Sequence, residues 1–136
     1  CAAAVSDFKP VKKNNSKLKK NRFEIKSLEL KKNQDILEYI GKNNRYRPKL
    51  VIGFAAETEN LTKNAISKLK EKNCDLIIAN DISKKGIGLN SDYNRVSIIE
   101  NSGKITVLKK NKKSLIANII AEIILDKLLV DDRSFN

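Results

Sequence analysis

Residues 48–81 read PKLVIGFAAETENLTKNAISKLKEKNCDLIIAND. Residues 50–56 form a continuous apolar run of strand length, the pattern of a parallel strand covered on both faces. Between residues 60 and 73 the apolar side chains of Leu61, Ala65, Ile66 and Leu69 recur at three- and four-residue spacing, which predicts an amphipathic helix. Residues 75–79 read as a second buried strand. Strand, helix and strand joined by short connections make a βαβ crossover, and with it a parallel pair.

Downstream, Gly86 and Gly88 mark a loop. Residues 95–99 and 104–108, separated by Asn101, Ser102 and Gly103, read as a β-hairpin. Residues 113–129 are predicted helical, and 131–136 a frayed tail. Upstream, residues 35–40 predict a short helix carrying Ile36, Leu37 and Ile40, while Phe23, Ile25, Leu28 and Leu30 suggest an extended segment. Residues 9–21 are dense in Lys and Asn, contain Pro10 and lack apolar periodicity, which reads as a mobile basic loop. Residues 1–6 are small and apolar and read as a buried strand that delivers Asp7 at its carboxyl end. The expected class is α/β: a Rossmann-like, mostly parallel sheet with flanking helices and a β-hairpin.

With 136 residues the chain is long enough for one domain with a core. Lys and Arg number 28 against 16 Asp and Glu, a net charge of +12 that suggests an anionic partner. The excess consists of 23 Lys and only 5 Arg, accompanied by 16 Asn and spread over the whole length, so solvated lysines account for most of it. An aromatic content of 5% leaves few platforms for base stacking, and no nucleic-acid partner is expected. Histidine is absent, which removes imidazole bases, histidine-containing triads and histidine metal sites. Cys1 and Cys74 give neither a zinc spacing nor a disulfide framework, so no metal ligand is assigned and a reduced, cytoplasmic compartment is the simplest reading. The longest apolar region, residues 115–130, is interrupted by Asn118, Glu122, Asp126 and Lys127 and falls short of the ~20 apolar residues of a membrane span. A first residue that is cysteine, in a chain without methionine, would suit an acylated lipoprotein. Ala2, Ala3, Ala4 and Val5 run straight into strand-like sequence without a polar tether, which favours a truncated gene instead.

In open α/β sheets, ligands bind beyond the carboxyl ends of the strands. Three strand ends qualify: Asp7, residues 54–58, and Asn80 with Asp81. Asp, Asn and Thr at such places also serve as ordinary caps and turn residues. Lys68 and Lys72 lie one helical turn apart on one face, where two ammonium groups repel and a polyphosphate would relieve them; Lys63 and Lys70 on the same helix are compatible with plain solvation. Lys17, Lys19 and Lys20 form a second basic cluster, either a loop that closes over a triphosphate or a flexible linker.

Six motifs in order carry a family resemblance. AAAVSDF at 2–8 resembles an AAAVADF strand end, KLKK at 17–20 a KIKK loop, and NQDIL at 33–37 an NPDIL segment. GFAAET at 53–58, ANDIS at 79–83 and GIGLNSDYN at 86–94 complete the series. Together they resemble the C-terminal part of the nucleotide-binding domain of phosphopantothenoylcysteine synthetases. Ser6 and Leu18 are mild departures, whereas Gln34 replaces a proline and releases a backbone restraint.

The resemblance implies that residues 1–136 are the C-terminal part of a single synthetase domain, an incomplete domain lacking the glycine-rich strand-turn-helix and the phosphopantothenate loop. An FMN-dependent decarboxylase is often fused ahead of it in bacteria. The activity implied is CTP-dependent ligation of 4'-phosphopantothenate and cysteine in coenzyme A biosynthesis, with Mg²⁺, in a homodimeric cytoplasmic enzyme, and with the isolated segment inactive. By motif position, Cys1, Ala2, Ala3 and Asp7 would surround the nucleotide, with Asp7 on ribose or a bound cation. Gln34, Asp35, Ile36, Leu37 and Phe54 would line the base pocket. Lys68 and Lys72 would serve the nucleotide from the helix after GFAAET, and Lys17 would be the catalytic lysine that closes on the triphosphate. The competing reading is a basic α/β module that binds RNA or another polyanion without chemistry.

Overall fold

In the computed structural model, residues 1–13, 16, 27–83 and 90–133 are described, with side chains to residue 129. The chain divides into two units: Ala3–Ile36, and Cys1–Ala2 together with Leu37–Asn136.

The smaller unit is organised by β1 (Phe8–Pro10) and β2 (Leu30–Lys32), paired antiparallel with Phe8 opposite Lys32 and Pro10 opposite Leu30. The Asn33 N–H donates to the Asp7 carbonyl at 2.8 Å and the Val11 N–H to the Glu29 carbonyl at 3.0 Å, extending the ladder at both ends. All residues of both strands are exposed, so backbone bonding and not an apolar face holds the pair. This departs from the sequence reading in three ways. Lys9 and Pro10 belong to a strand, although a loop was expected there; of the expected extended segment only Leu30 is in a described strand, and residues 17–26 lie outside the described residues. Residues 1–6 are exposed and form no strand of their own, because their alanines offer little apolar area to bury.

In the larger unit the 48–81 stretch folds as the pattern predicts. After α1 (Ile36–Gly41) come β3 (Ile52–Glu57), α2 (Leu61–Glu71) and β4 (Leu76–Asp81). β3 and β4 are parallel, with Ile52 opposite Leu76 and Glu57 opposite Asp81. β5 (Tyr93–Glu100) and β6 (Ile105–Lys112) form the hairpin, and α3 (Lys113–Arg133) closes the order. The sheet runs β3-β4-β5-β6. It is mixed, parallel at β3–β4 and antiparallel at the two other pairings, since the hairpin adds to β4 through its first strand. Gly103 turns the hairpin at φ +90°, a backbone conformation that costs glycine nothing. α3 continues to Arg133, through residues expected to fray, because neither Gly nor Pro interrupts its sequence after Lys113.

Period-two alternation sends the strand residues to two faces. On one, Val51, Ala55, Ile77, Ala79 and Ile99 pack with Ala65 and Leu69 of α2. On the other, Leu76, Ile78, Val96 and Ile98 pack with Ile116 of α3, supported by Ile120 and Ile123. β4 is therefore covered on both sides, which is why its sequence is apolar without alternation. Leu76, Ile77, Ile78, Ile98 and Ile99 are essentially fully buried, each contributing roughly 1.5–3 kcal/mol of transfer free energy. Lys127 reaches from α3 to Glu100 at the end of β5, with Nζ 2.6 Å from Oε2, and so holds the helix against the sheet.

At the amino end of the parallel pair, Arg47 gathers the connections. Its Nε donates to the Gly41 carbonyl at 3.0 Å, and Nη2 to the Asn73 carbonyl at 3.0 Å and to Asp75 Oδ2 at 2.8 Å. The same carboxylate oxygen accepts the Val51 N–H at 2.7 Å. α1, the turn after α2, and the residues just before both strands are thus tied at one guanidinium.

Candidate functional site

The carboxyl edge of the parallel pair carries Glu57 and Asp81, direct register partners. Glu57 faces α2, as do Ala55 and Gly53, two and four residues before it. Its side chain is 11% exposed and its two oxygens are divided between one face of that helix. Lys68 Nζ donates to Oε1 at 2.6 Å, and Asn64 Nδ2 donates to Oε2 at 3.0 Å. Asn64 and Lys68 are four apart, hence stacked one turn above the other. Burial alone would raise the Glu57 carboxyl, but the bonds from Lys68 and Asn64 and the nearby positive charge outweigh it and hold it below its ordinary 4.5. The ammonium of Lys68 is thereby brought from the middle of a helix to the end of β3. Asp81, the last residue of β4, accepts from the Ser83 hydroxyl at 2.5 Å and the Ser83 N–H at 3.1 Å, with Arg95 Nη1 4.0 Å away.

The remaining expected site residues of this unit surround β3. The Cys1 backbone nitrogen donates to the Ile52 carbonyl at 2.7 Å, and the Phe54 N–H donates to the Cys1 carbonyl at 3.2 Å. That is the bonding of a parallel strand pair, with Cys1 beside Gly53 on the edge of β3 away from β4. Leu37 comes so close over Gly53 that a Cβ there would lie 2.5 Å from its Cδ2. The glycine of GFAAET is therefore a packing requirement. Phe54 points to the opposite face, 43% exposed, as one wall of a half-open apolar cavity of about 350 Å³ between the sheet and α3. Asn80, Asn94, Val96, Ile116 and Ile120 also line it, and Asn94 Nδ2 donates to Asn80 Oδ1 at 3.2 Å. Lys72 is the C-cap of α2, where a cation suits the helix dipole, and its carbonyl sits where a Cβ on Gly41 would be, 2.0 Å away. Lys68 and Lys72 are thus differently employed.

In the smaller unit, the β1–β2 ladder places Asp7 opposite Asn33, bringing Asp7 to the same end of the ladder as Gln34 and Asp35 although 27 residues separate Asp7 from Gln34. Asn33 Nδ2 adds a bond to the Ser6 carbonyl at 2.7 Å. Ala3 and Ile36 lie at the two ends of this unit. Lys17, together with Lys19 and Lys20, lies outside the described residues. Cys74 is buried, and burial together with the Asp75 charge pushes its thiol up, so it is a packing residue. Among the described residues no group of three or more acidic or cysteine side chains could hold a metal ion, and no helix is long and apolar enough to cross a membrane.

Sequence reasoning placed Glu57 only within the strand end 54–58 and did not single out Asn64. The sequence holds only a trace of the contact, an acid at a strand end followed by hydrogen-bonding side chains at i+7 and i+11 in the next helix, a spacing that does not by itself report how far that helix folds back. Arg47 and Asp75 were also missed, since they bond to each other across 28 residues and to backbone groups, which no residue pattern reports.

The family model for the DNA/pantothenate metabolism flavoprotein C-terminal domain matches residues 1–128. The Coenzyme A biosynthesis bifunctional protein CoaBC of Borreliella burgdorferi is 44% identical over 124 residues, covering 90% of this chain and 30% of that protein. The protein of the same name from Haemophilus influenzae is 39% identical over 122 residues, with the same two shares, 90% and 30%. A prokaryotic protein named Cysteine/Cysteine sulfinic acid decarboxylase is 37% identical over 124 residues, covering 90% of this chain and 34% of its own length. The crystal structure of the C-terminal domain of CoaBC aligns with a TM-score of 0.67 at 30% identity, covering 96% of this chain and 53% of that one. The chain spans 30–34% of the length of these curated relatives. Sequence and fold agree, and the chain belongs to the family of the DNA/pantothenate metabolism flavoprotein C-terminal domain.

Proposed function

We propose that this chain is the nucleotide-handling part of a CTP-dependent phosphopantothenate–cysteine ligase acting in coenzyme A biosynthesis. The observation that carries the reading is the placement of Lys68 at the carboxyl edge of β3 by Glu57, where α/β sheets bind their ligands and where the family resemblance would have a lysine serve the nucleotide. The two curated relatives named CoaBC support the pathway. In the proposed reaction, the carboxylate of 4'-phosphopantothenate attacks the α-phosphate of CTP, the α–β bridge breaks, and pyrophosphate leaves. The cysteine amine then attacks the acyl-cytidylate carbonyl and loses a proton, giving the amide and CMP. Lys68 and Lys72 would neutralise phosphate charge, Lys17 would close on the α-phosphate, Asp7 would contact ribose or a bound cation, and Gln34, Asp35 and Ile36 would contact the base. Cys1, Ala2, Ala3, Leu37 and Phe54 would frame the base and sugar. The described residues lack a carboxylate cluster, so Mg²⁺ fits as an ion carried mainly by the phosphates, with Asp7 as its candidate protein ligand. When bound it would spread the charge of the transferring nucleotidyl group.

Titration calorimetry with Mg²⁺ tests this. The expected result is weak CTP binding in preference to ATP, reduced in Lys68→Gln. Equal affinity for both nucleotides, lost steeply with added salt, would replace the reading with generic polyanion capture.

A further inference from the structure

We infer that Glu57 is a positioning residue for the nucleotide: it sets the direction of the Lys68 ammonium before the ligand arrives, acting through that lysine and not on the ligand itself. The inference rests on the reading of Lys68 as a phosphate contact and extends it to a residue whose charge is the wrong sign for such a role.

A long lysine side chain is ordinarily free to rotate about four bonds, and ordering it when a ligand binds weakens affinity. Here the ordering is already done. Glu57 is rigid because it is the last residue of a strand paired with β4, and its carboxylate is only 11% exposed. The Asn64 bond at 3.0 Å fixes the second oxygen, and Asn64 is itself anchored to the Glu59 carbonyl at 3.2 Å. The carboxylate thus cannot swing, and Lys68 Nζ is held 2.6 Å from a fixed point. Yet the lysine side chain is 41% exposed, so the clamp is one-sided. An ammonium has three donors, and the Glu57 bond takes one.

Charge alone makes the opposite prediction. A carboxylate 2.6 Å from the ammonium largely cancels the charge that attracts a polyphosphate, so its removal would strengthen binding if orientation did not matter. Aspartate at 57 would be one methylene short of spanning both partners. Glutamine keeps an acceptor oxygen for Lys68 while losing the charge, and so separates orientation from electrostatics.

The experiment is CTP titration with Mg²⁺ on the 136-residue chain and on Glu57→Ala, Glu57→Gln, Lys68→Gln and the Glu57→Ala/Lys68→Gln double variant, with a thermal melt of each. Glu57→Ala should weaken CTP binding about three- to tenfold, the size expected when one long side chain must be ordered on binding. Glu57→Gln should recover at least half of that on a logarithmic scale. In the Lys68→Gln background Glu57→Ala should have no further effect, the signature of a residue acting through another. Tighter binding by Glu57→Ala would overturn the inference in favour of simple repulsion. An equal loss in both backgrounds would reduce Glu57 to a structural residue. If Glu57→Ala does not fold, the decision passes to Glu57→Gln, whose effect must vanish beside Lys68→Gln. CTP binding that is undetectable in the parent chain, or indifferent to Lys68→Gln, would sink the nucleotide reading and this inference with it, whereas binding that needs Lys68 but treats Glu57 additively would sink the inference alone.

Discussion

A single methyl group added at position 53 should lower the melting temperature by several degrees. Built on the Gly53 backbone, a Cβ lies 2.5 Å from Leu37 Cδ2 and 2.8 Å from Ile77 Cδ1. Carbon atoms rest comfortably about 3.5–4.0 Å apart, so both neighbours must yield by roughly 1 Å. β3 cannot retreat, since its whole length is bonded to β4. Ile77 is 1% exposed and β-branched, with little rotamer freedom to use. Leu37, on a six-residue helix and partly buried, has to take most of the movement. Overpacking of this kind costs about 1–3 kcal/mol, and alanine returns about 0.5–1 kcal/mol of the backbone entropy that glycine loses in a strand. The midpoints of those ranges leave a net loss of about 1 kcal/mol, which corresponds to roughly 3–6 °C for a chain of this size. Reversible melts followed by circular dichroism should show that loss in Gly53→Ala and a smaller one when Leu37→Ala has already cleared the space. An unchanged or raised midpoint for Gly53→Ala, or equal losses in both backgrounds, would refute the close-approach argument.

Two further outcomes are expected. Arg47→Ala should destabilise the chain by about 2–4 kcal/mol, because it strips the Asp75 carboxylate and the Gly41 and Asn73 carbonyls of a shared donor, and Arg47→Lys should recover little, since one ammonium cannot replace the planar fork; urea titrations giving Lys and Arg equal stability would count against this. The Glu57 carboxyl is lowered in the fold, so its contribution is fully present above its ordinary 4.5 and is lost as pH falls from there through the lower folded value. Urea titrations at neutral pH and at about pH 3 should therefore show a smaller acid loss in Lys68→Gln than in the parent chain, and identical losses would mean that the pair does not form in solution.

The βαβ unit was legible because two fully covered strands leave unbroken apolar runs and α2 leaves a one-sided period, and these patterns depend on burial alone. The hairpin was legible through Gly103, whose positive φ the turn needs. The β1–β2 pairing was not, for a corresponding reason. Phe8–Pro10 and Leu30–Lys32 are short and wholly exposed, so no alternation marks them, and the chain between them gives no local turn signal. Residues 1–6 looked buried because alanine and valine are common inside proteins, but apolar composition does not supply a covering neighbour. At the site, Lys68 was legible as a candidate through its spacing, while its partner was hidden by distance along the chain. A bond from strand end to mid-helix depends on how far α2 folds back over β3, a tertiary quantity that neither Glu57 nor Lys68 encodes by itself.

β6 ends the strand order of its sheet, so among the described residues its outer row of N–H and C=O groups has no neighbour. An open edge eight residues long is a template on which another copy could add a strand, and Val107, 54% exposed, would favour the stacking. The second half of the same strand answers this with Lys109, Lys110 and Lys112, all exposed, Lys110 lying over the Tyr93 ring at 5.3 Å. A second β6 docking edge to edge in parallel register would bring like charges together within a few ångströms along half the contact. Part of the surplus of lysine in this chain thus works as colloidal protection, and it is protection of a kind that dissolved salt removes once the screening length falls below the spacing of those charges.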